Sequence, residues 1–190
     1  MSGMSLQEKS FLTSIYSGKD RHYHDINHIN KMLLELEQYL KINNDKELSS
    51  FHNIIERAIW FHDIVCIPLS AENEYRSSLY VSDCPAIAEA ILATGDIFAD
   101  HSNKSNLVKL LLDLDIVALG TNSFEKDTAN ILLEYEPYVT ISQFKEGRKQ
   151  FFEILLSKNR LYYNDYFYKL YEETARNNMK NYISLSDDNM

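Results

Sequence analysis

The chain has 190 residues, of which 45% are hydrophobic and 25% are charged, as is typical of a soluble globular domain with one core. Acidic side chains outnumber basic ones by 28 to 19, and the net charge of −9 disfavours a duplex nucleic acid as a partner. No apolar run exceeds four residues, so neither a transmembrane span nor the core of a signal peptide can be placed. Two cysteines without a CxxC pair indicate reduced thiols rather than a disulfide framework. We therefore expect a cytoplasmic protein that does not bind membranes.

Helical periodicity dominates the sequence. Apolar residues recur at steps of three and four, and five glycines with three prolines are too few for a turn-rich β-fold. No stretch alternates with a period of two for long enough to be a strand. The predicted helices lie near residues 5–16, 24–41, 49–65, 71–81, 85–97, 104–119, 123–136, 141–157 and 165–182.

The domain organisation is simple. No internal repeat and no low-complexity linker divides the chain, so residues 1–190 are predicted to form one compact all-α bundle of about eight or nine helices. The ends near residues 1–4 and 184–190 are polar and are expected to be disordered. Gly120 follows the predicted helix 104–119 at a place that suits a left-handed helix terminus.

Three segments combine histidine or aspartate with an apolar helical pattern. In the first, His24 and His28 are four residues apart, which places them on one side of a helix. In the second, His62 and Asp63 are adjacent and surrounded by apolar residues. In the third, two aspartates interrupt the apolar stretch 110–119. Each segment alone is typical of an ordinary polar helix edge, but their joint occurrence on separate predicted helices favours a shared site.

Aspartates within apolar helices need partners, because an unpaired carboxylate in an apolar interior costs several kcal/mol. His28 and His62 are candidates to share a divalent cation with them, and imidazole with carboxylate suits Mn²⁺, Fe²⁺, Ni²⁺, Co²⁺ or Zn²⁺. Asp113 and Asp115 point about 200° apart on a helix. We therefore expect one of the two to reach the metal and the other to form hydrogen bonds elsewhere.

The order histidine, His-Asp, aspartate resembles the HD superfamily of metal-dependent phosphohydrolases, and in particular a family of small HD proteins. The likeness covers residues 15–180 and rests on segments 21–29, 58–63, 72–78, 91–94, 112–120, 134–135, 147–148 and 173–178. Its implied metal ligands are His28, His62, Asp63 and Asp115. Asp115 is preferred to Asp113 because superfamily members follow the liganding aspartate with an apolar helical stretch.

The resemblance also implies roles in catalysis. His24 stands four residues before the first ligand, where related cyclic-nucleotide phosphodiesterases have their general acid. Glu74 lies in a segment that, in other HD hydrolases, supplies a carboxylate near the nucleophilic water, so it is expected to act as a base or to position that water. Arg21 and Arg76 are candidates for binding the phosphate, on sequence proximity alone.

One divalent metal ion is expected, chosen from Mn, Fe, Ni, Co, Zn and Mg. Relatives often place a histidine for a second metal shortly after the Ala-Thr element, whereas here Gly95 follows Thr94 and the nearest histidine is His101. The implied substrate is a small phosphorylated molecule, a nucleotide with a phosphomonoester or phosphodiester bond. A homodimer is left open.

Two other functions compete. Residues 24–28 are one residue from the zincin pattern HExxH, which suggests a metalloprotease, but this leaves His62 and Asp63 unexplained. The other alternative is a catalytically silent, metal-stabilised scaffold or nucleotide-binding protein, which the missing second-site histidine keeps open.

Overall fold

The computed structural model describes residues 3–43 and 51–187. These residues form nine α-helices and contain no strand, which confirms the all-α fold class. The helices are α1 (Leu6–Tyr16), α2 (Ile26–Asn43), α3 (His52–Phe61), α4 (Asn73–Ser78), α5 (Pro85–Thr94), α6 (Asn106–Asp115), α7 (Phe124–Tyr135), α8 (Ile141–Ser157) and α9 (Asp165–Asp187), with 3-10 turns at Leu79–Val81 and Val117–Gly120. None of the helices in these ranges combines the length and apolar character that crossing a membrane requires.

Helix α3 ends earlier than the apolar periodicity predicts. It stops at Phe61, whereas the predicted helix continues to residue 65. Beyond this end, the Arg21 guanidinium donates hydrogen bonds to the carbonyls of Asp63 and Ile64, each at 2.9 Å, and stabilises the turn that follows the helix. The early end places the predicted His-Asp pair at the helix terminus rather than inside the helix.

The predicted ends need one correction. Helix α9 continues to Asp187, so residues 184–187 are helical although the sequence predicts disorder from residue 184. The remainder of that predicted tail, 188–190, lies outside the described residues, as do residues 1–2 and 44–50.

One hydrophobic core joins the helices. Its largest fully buried side chains include Tyr16, Phe152, Tyr162 and Phe167. Helices α2, α3 and α6 pack against one another in pairs. This packing brings the first turn of α2 close to the C-terminal ends of α3 and α6, where the predicted metal-binding residues lie.

Gly120 is required by close packing and not by a left-handed backbone. Its φ is not positive, so the left-handed terminus predicted from the sequence is wrong. A Cβ atom at this position would lie 2.6 Å from Cβ of Tyr171 and 2.8 Å from the backbone oxygen of Tyr171. The 3-10 turn and α9 therefore approach each other more closely than any side chain at Gly120 permits.

We expect Gly120→Ala to lower the free energy of unfolding by about 1–3 kcal/mol, because the added methyl group forces the turn and α9 apart. Gly147→Ala is the matched control, since no atom lies within 4 Å of a Cβ built there in α8. That control is expected to be neutral or to stabilise the protein by up to about 1 kcal/mol. Urea unfolding of both variants measures the difference. Equal stability of the Gly120→Ala variant and the parent would contradict the close approach.

Candidate metal centre

Four predicted residues converge at one point of the structure. His28 lies in the first turn of α2, His62 and Asp63 follow the last residue of α3, and Asp115 is the last residue of α6. One donor atom of each lies within 4.8 Å of the donor atoms of the other three. Both histidines are buried, and both aspartates are partly exposed. The packing of three helices therefore gathers two imidazoles and two carboxylates.

The distances between these donor atoms match a shared ion. The Nε2 atom of His62 lies 3.1 Å from Oδ2 of Asp63 and 3.5 Å from Oδ1 of Asp115. The Nε2 atom of His28 lies 3.3 Å from Oδ1 of Asp115, 3.3 Å from Nε2 of His62 and 3.9 Å from Oδ2 of Asp63. Ligands bound at about 2.1 Å with octahedral or tetrahedral angles lie about 3.0–3.4 Å apart. The cluster therefore fits a single divalent cation with little rearrangement.

The tautomer of His62 also suits metal binding. Its Nδ1 donates a hydrogen bond to the carbonyl of Ile59 at 2.8 Å. In the neutral ring, this bond places the proton on Nδ1 and leaves the Nε2 lone pair facing the cluster. Backbone carbonyls orient metal-binding histidines in this way in many proteins.

Asp25 caps helix α2. Its Oδ1 accepts hydrogen bonds from the backbone N–H of Asn27 at 2.8 Å and of His28 at 3.1 Å, as an N-cap residue does. This cap fixes the helix start and hence the position of the His28 side chain. Because the Asp25 carboxylate is engaged in capping, the arrangement does not support the metalloprotease alternative, in which Asp25 activates a water molecule.

The cluster carries an excess of negative charge that a cation can balance. Burial opposes ionisation of both aspartates, yet the neighbouring histidines hold the pKa of Asp63 and of Asp115 well below the usual range. Burial alone lowers the pKa of His62, but Asp63 and Asp115 raise this pKa well above its ordinary value. The positive charge of protonated His62 therefore balances the two carboxylates, as a metal ion would.

We expect metal affinity to fall as the pH falls, because protons and the metal compete for the same imidazole. Because the pKa of His62 is raised well above its ordinary value, an ion that binds near neutral pH displaces a proton from this ring. Displacement of one proton changes the affinity by about tenfold per pH unit. Titration calorimetry with Mn²⁺ at pH 6 and pH 8, in buffers of different ionisation enthalpy, measures both the affinity and the released proton. An affinity that does not vary with pH would contradict this competition.

The other aspartate of α6, Asp113, is directed away from the cluster. It is fully buried, its Oδ1 accepts from the backbone N–H of Tyr163 at 2.6 Å, and its Oδ2 accepts from the backbone and side-chain N–H groups of Asn164 at 2.7 and 2.6 Å. Burial raises the pKa of Asp113 to about 7, against the effect of these hydrogen bonds. Asp113 therefore holds the turn before α9, and only Asp115 of this pair reaches the cluster.

His24 stands next to the cluster and is held by a carboxylate from a distant helix. The sequence predicts that His24 shares a helical face with His28, but α2 begins after His24, at Ile26. The ring centroids of the two histidines are 6.1 Å apart. Nδ1 of His24 lies 2.6 Å from Oε2 of Glu134 on α7. Burial alone lowers the pKa of His24, but Cys66 and Glu134 raise it well above its usual value.

Glu134 and Cys66 are site residues to which the sequence analysis assigned no role. Oε1 of Glu134 accepts backbone N–H bonds from residues 22, 23 and 24 at 2.8, 2.8 and 2.9 Å, so this carboxylate shapes the whole segment. These bonds and the bond to His24 lower the pKa of Glu134 to about 2, although burial acts to raise it. The donor atoms of His24, Cys66 and Glu134 lie within 4.8 Å of one another. Two signals in the sequence point to Glu134, namely a carboxylate directly after apolar residues 131–133 and its place in segment 134–135 of the HD likeness.

Known proteins add no assignment to this geometry. Comparisons with protein-family models, with curated proteins and with solved structures find no match for this chain. The likeness to HD phosphohydrolases therefore stays a prediction from the sequence segments that carry it.

A cavity of about 450 Å³ opens at the cluster. Asp63, Asp115, His24 and Glu74 all line it, so the predicted water-positioning carboxylate and the predicted general acid border the same space as two of the metal-binding candidates. A cavity of this volume suits a small-molecule ligand. The side chain of Glu74 also packs against Gly95, since a Cβ there would lie 3.0 Å from it.

The arginines predicted to bind phosphate do not line this cavity. Arg21 donates to three backbone carbonyls, those of His24, Asp63 and Ile64, and therefore stabilises the chain around the site. Arg76 is exposed at the C-terminal end of α4. The prediction from sequence proximity is wrong, because both arginines are near site residues along the chain but neither lines the cavity. The arginine on the cavity wall is Arg148.

His101 has a structural environment. It is buried, its Nε2 lies 2.8 Å from the carbonyl oxygen of Asp96, and its backbone N–H donates to the hydroxyl of Tyr163. It belongs to neither cluster of metal-binding side chains found among the described residues.

Proposed function

We propose that the protein is a metal-dependent phosphohydrolase that cleaves a phosphomonoester or phosphodiester bond, with a nucleotide as the substrate class. The observation that carries this proposal is the convergence of two imidazoles and two carboxylates next to a cavity, which the two carboxylates line together with His24 and Glu74. The likeness of the sequence to HD phosphohydrolases supports the same function.

His28, His62, Asp63 and Asp115 would hold the ion. A divalent cation in such a site lowers the pKa of water and offsets negative charge on a phosphoryl group. Two imidazoles and two carboxylates are a mixed donor set that suits Mn²⁺, Fe²⁺, Co²⁺, Ni²⁺ or Zn²⁺. Four protein ligands leave positions free on an ion with five or six ligands.

His24 is proposed as the general acid. Glu134 binds Nδ1 of its ring, and Cys66 lies next to the same imidazole. The raised pKa of His24 keeps the imidazole protonated near neutral pH, as donation to a departing oxygen requires. Glu74, on the same cavity, is proposed to accept a proton from the attacking water or to orient it.

The experiment is a metal analysis of the purified protein combined with a substrate panel. We expect a bound transition metal, and release of phosphate or nucleotide from one class among nucleoside monophosphates, nucleoside triphosphates and cyclic phosphodiesters. Chelation is expected to abolish the activity, and addition of Mn²⁺ or Co²⁺ to restore it. A bound metal that raises the unfolding temperature without any turnover would instead favour the non-catalytic scaffold. Absence of metal binding in the parent protein would contradict the proposal itself.

A further inference from the structure

Arg148 is the one lysine or arginine among the described residues that line the cavity. It lies on α8 and borders the same cavity as Asp63 and Asp115. Tyr23 connects the two regions, because its ring lies 5.1 Å from the His28 ring and its phenol interacts electrostatically with both Asp115 and Arg148. Tyr23 is thus under the influence of both the metal cluster and Arg148.

The Arg148 guanidinium lacks the partner that a buried cation normally has. Its Nε is buried and has no hydrogen-bond partner within the described ranges. The titratable groups that act on it are the phenols of Tyr23, Tyr135 and Tyr182, with no carboxylate among them. Burial lowers the pKa of this guanidinium, which is the sign of an uncompensated buried charge.

Aromatic rings orient Arg148 without neutralising it. The guanidinium carbon lies 4.6 Å from the ring centre of Phe152 and 5.2 Å from that of Phe151, two residues of the same helix. Stacking on aromatic rings gives only part of the stabilisation that an anion gives a guanidinium. The hydrogen-bonding capacity of Arg148 is therefore left for a group that enters the cavity.

Three other arginines of the structure form hydrogen bonds with carboxylates and provide a comparison. Arg57 forms two hydrogen bonds with Asp83 at 2.8 and 2.9 Å. Arg160 pairs with Asp165, and Arg176 pairs with Glu172 and with two backbone carbonyls. Arg148 differs from these because it borders the cavity and has no anionic partner within the described ranges.

We propose that Arg148 binds a phosphate oxyanion of the substrate, so that the bound molecule lies between the four-residue metal cluster and helix α8. This inference rests on the proposed function and assigns to Arg148 the phosphate-binding role that sequence proximity suggested for Arg21 and Arg76. Guanidinium groups bind phosphate oxygens with paired, charge-assisted hydrogen bonds. The rest of the cavity wall is largely apolar and aromatic, which suits an organic phosphate with a ring. The wall residues of this kind include Leu119, Ile131, Tyr135, Phe144 and Phe151.

The test compares Arg148→Met and Arg148→Lys with the parent protein and with Arg57→Met, a surface control. Titration calorimetry with inorganic phosphate as the probe, in the presence of Mn²⁺, is expected to show an affinity at least about tenfold weaker in Arg148→Met than in the parent. Arg148→Lys is expected to be intermediate, because lysine keeps the charge but loses the paired geometry. Arg57→Met is expected to bind phosphate as the parent does.

Thermal unfolding without ligand separates binding from a structural role. Methionine keeps the aliphatic packing on Phe151 and Phe152 and removes an unpaired buried charge, so the unfolding temperature of Arg148→Met is expected to equal or exceed that of the parent. A lower unfolding temperature with unchanged phosphate affinity would show that Arg148 is structural and would overturn the inference. Lack of phosphate binding by the parent protein would overturn it as well.

Hydrolysis assays separate this inference from the proposed function. If the parent protein hydrolyses a phosphoester and Arg148→Met keeps both kcat and KM, the function stands and the role of Arg148 is wrong. If phosphate binds through Arg148 but no phosphoester is hydrolysed, the anion site stands and the hydrolase proposal fails.

Discussion

Asp115→Asn is expected to abolish both metal binding and phosphoester hydrolysis, whereas Asp113→Asn is expected to leave both in place. The two aspartates are two residues apart on α6, but only Asp115 lies within reach of the histidine cluster. An amide is a much poorer ligand than a carboxylate for a divalent ion, and its loss of charge removes part of the attraction. We expect the metal affinity and kcat of Asp115→Asn each to fall by more than about 100-fold, the upper cost of altering a group that merely supports a ligand.

Asp113→Asn is the matched control, and its expected defect lies in folding. Both oxygens of Asp113 accept hydrogen bonds from the segment before α9, and an asparagine would place an NH₂ group against one of these N–H donors. We expect the free energy of unfolding to fall by about 1–3 kcal/mol with the metal content unchanged. Elemental analysis of both variants measures the metal content, and urea unfolding measures the free energy of unfolding. Loss of metal in Asp113→Asn with retention in Asp115→Asn would reverse the assignment.

His24→Gln is expected to lower kcat by about 10²–10⁴-fold for substrates with a poor leaving group, because such substrates need protonation of the departing oxygen. A nitrophenyl ester, whose leaving group departs as a stable anion, is expected to lose far less activity. Metal content should not change, since His24 is not one of the four clustered ligands. Steady-state kinetics with an alkyl and a nitrophenyl phosphoester measures the difference.

His22→Gln is the control for the same substitution two residues away. The His22 side chain is exposed, and the contact of this residue with Glu134 uses only its backbone N–H. We expect parental kinetics from this variant. An equal loss of activity for both ester types in His24→Gln would indicate that His24 supports the site by some route other than proton donation.

Several features of the site are visible in the sequence because they depend on local periodicity. The separation of Asp113 and Asp115 follows from the angle between residues two apart on a helix, and the structure directs them to different neighbours. The burial of His62 follows from the apolar residues that surround it in the chain. The clustering of His28 with the His-Asp pair is expected from the resemblance, and the packing of α2, α3 and α6 produces it.

Other features depend on contacts between residues that are far apart in the chain. Glu134 and His24 are in contact although they are 110 positions apart in the chain, and no motif in either segment predicts the contact. The sequence suggests that Gly120 is a helix terminus, but glycine is needed there because Tyr171 on α9 packs too closely to leave room for a side chain. Arg21 was expected at the phosphate because of its neighbours in sequence, yet its guanidinium is directed to the backbone of residues 63 and 64.

By itself the sequence determined the all-α class, the approximate positions of the helices and the histidines and aspartates suited to a shared cation. These follow from hydrophobic periodicity and from the cost of burying an unpaired charge, both of which act over short stretches of chain. Only the tertiary structure decided which carboxylate supports His24, why Gly120 has no side chain and which arginine borders the cavity. Those outcomes depend on the directions in which separate helices present their side chains once packed, and a one-dimensional pattern does not contain these directions.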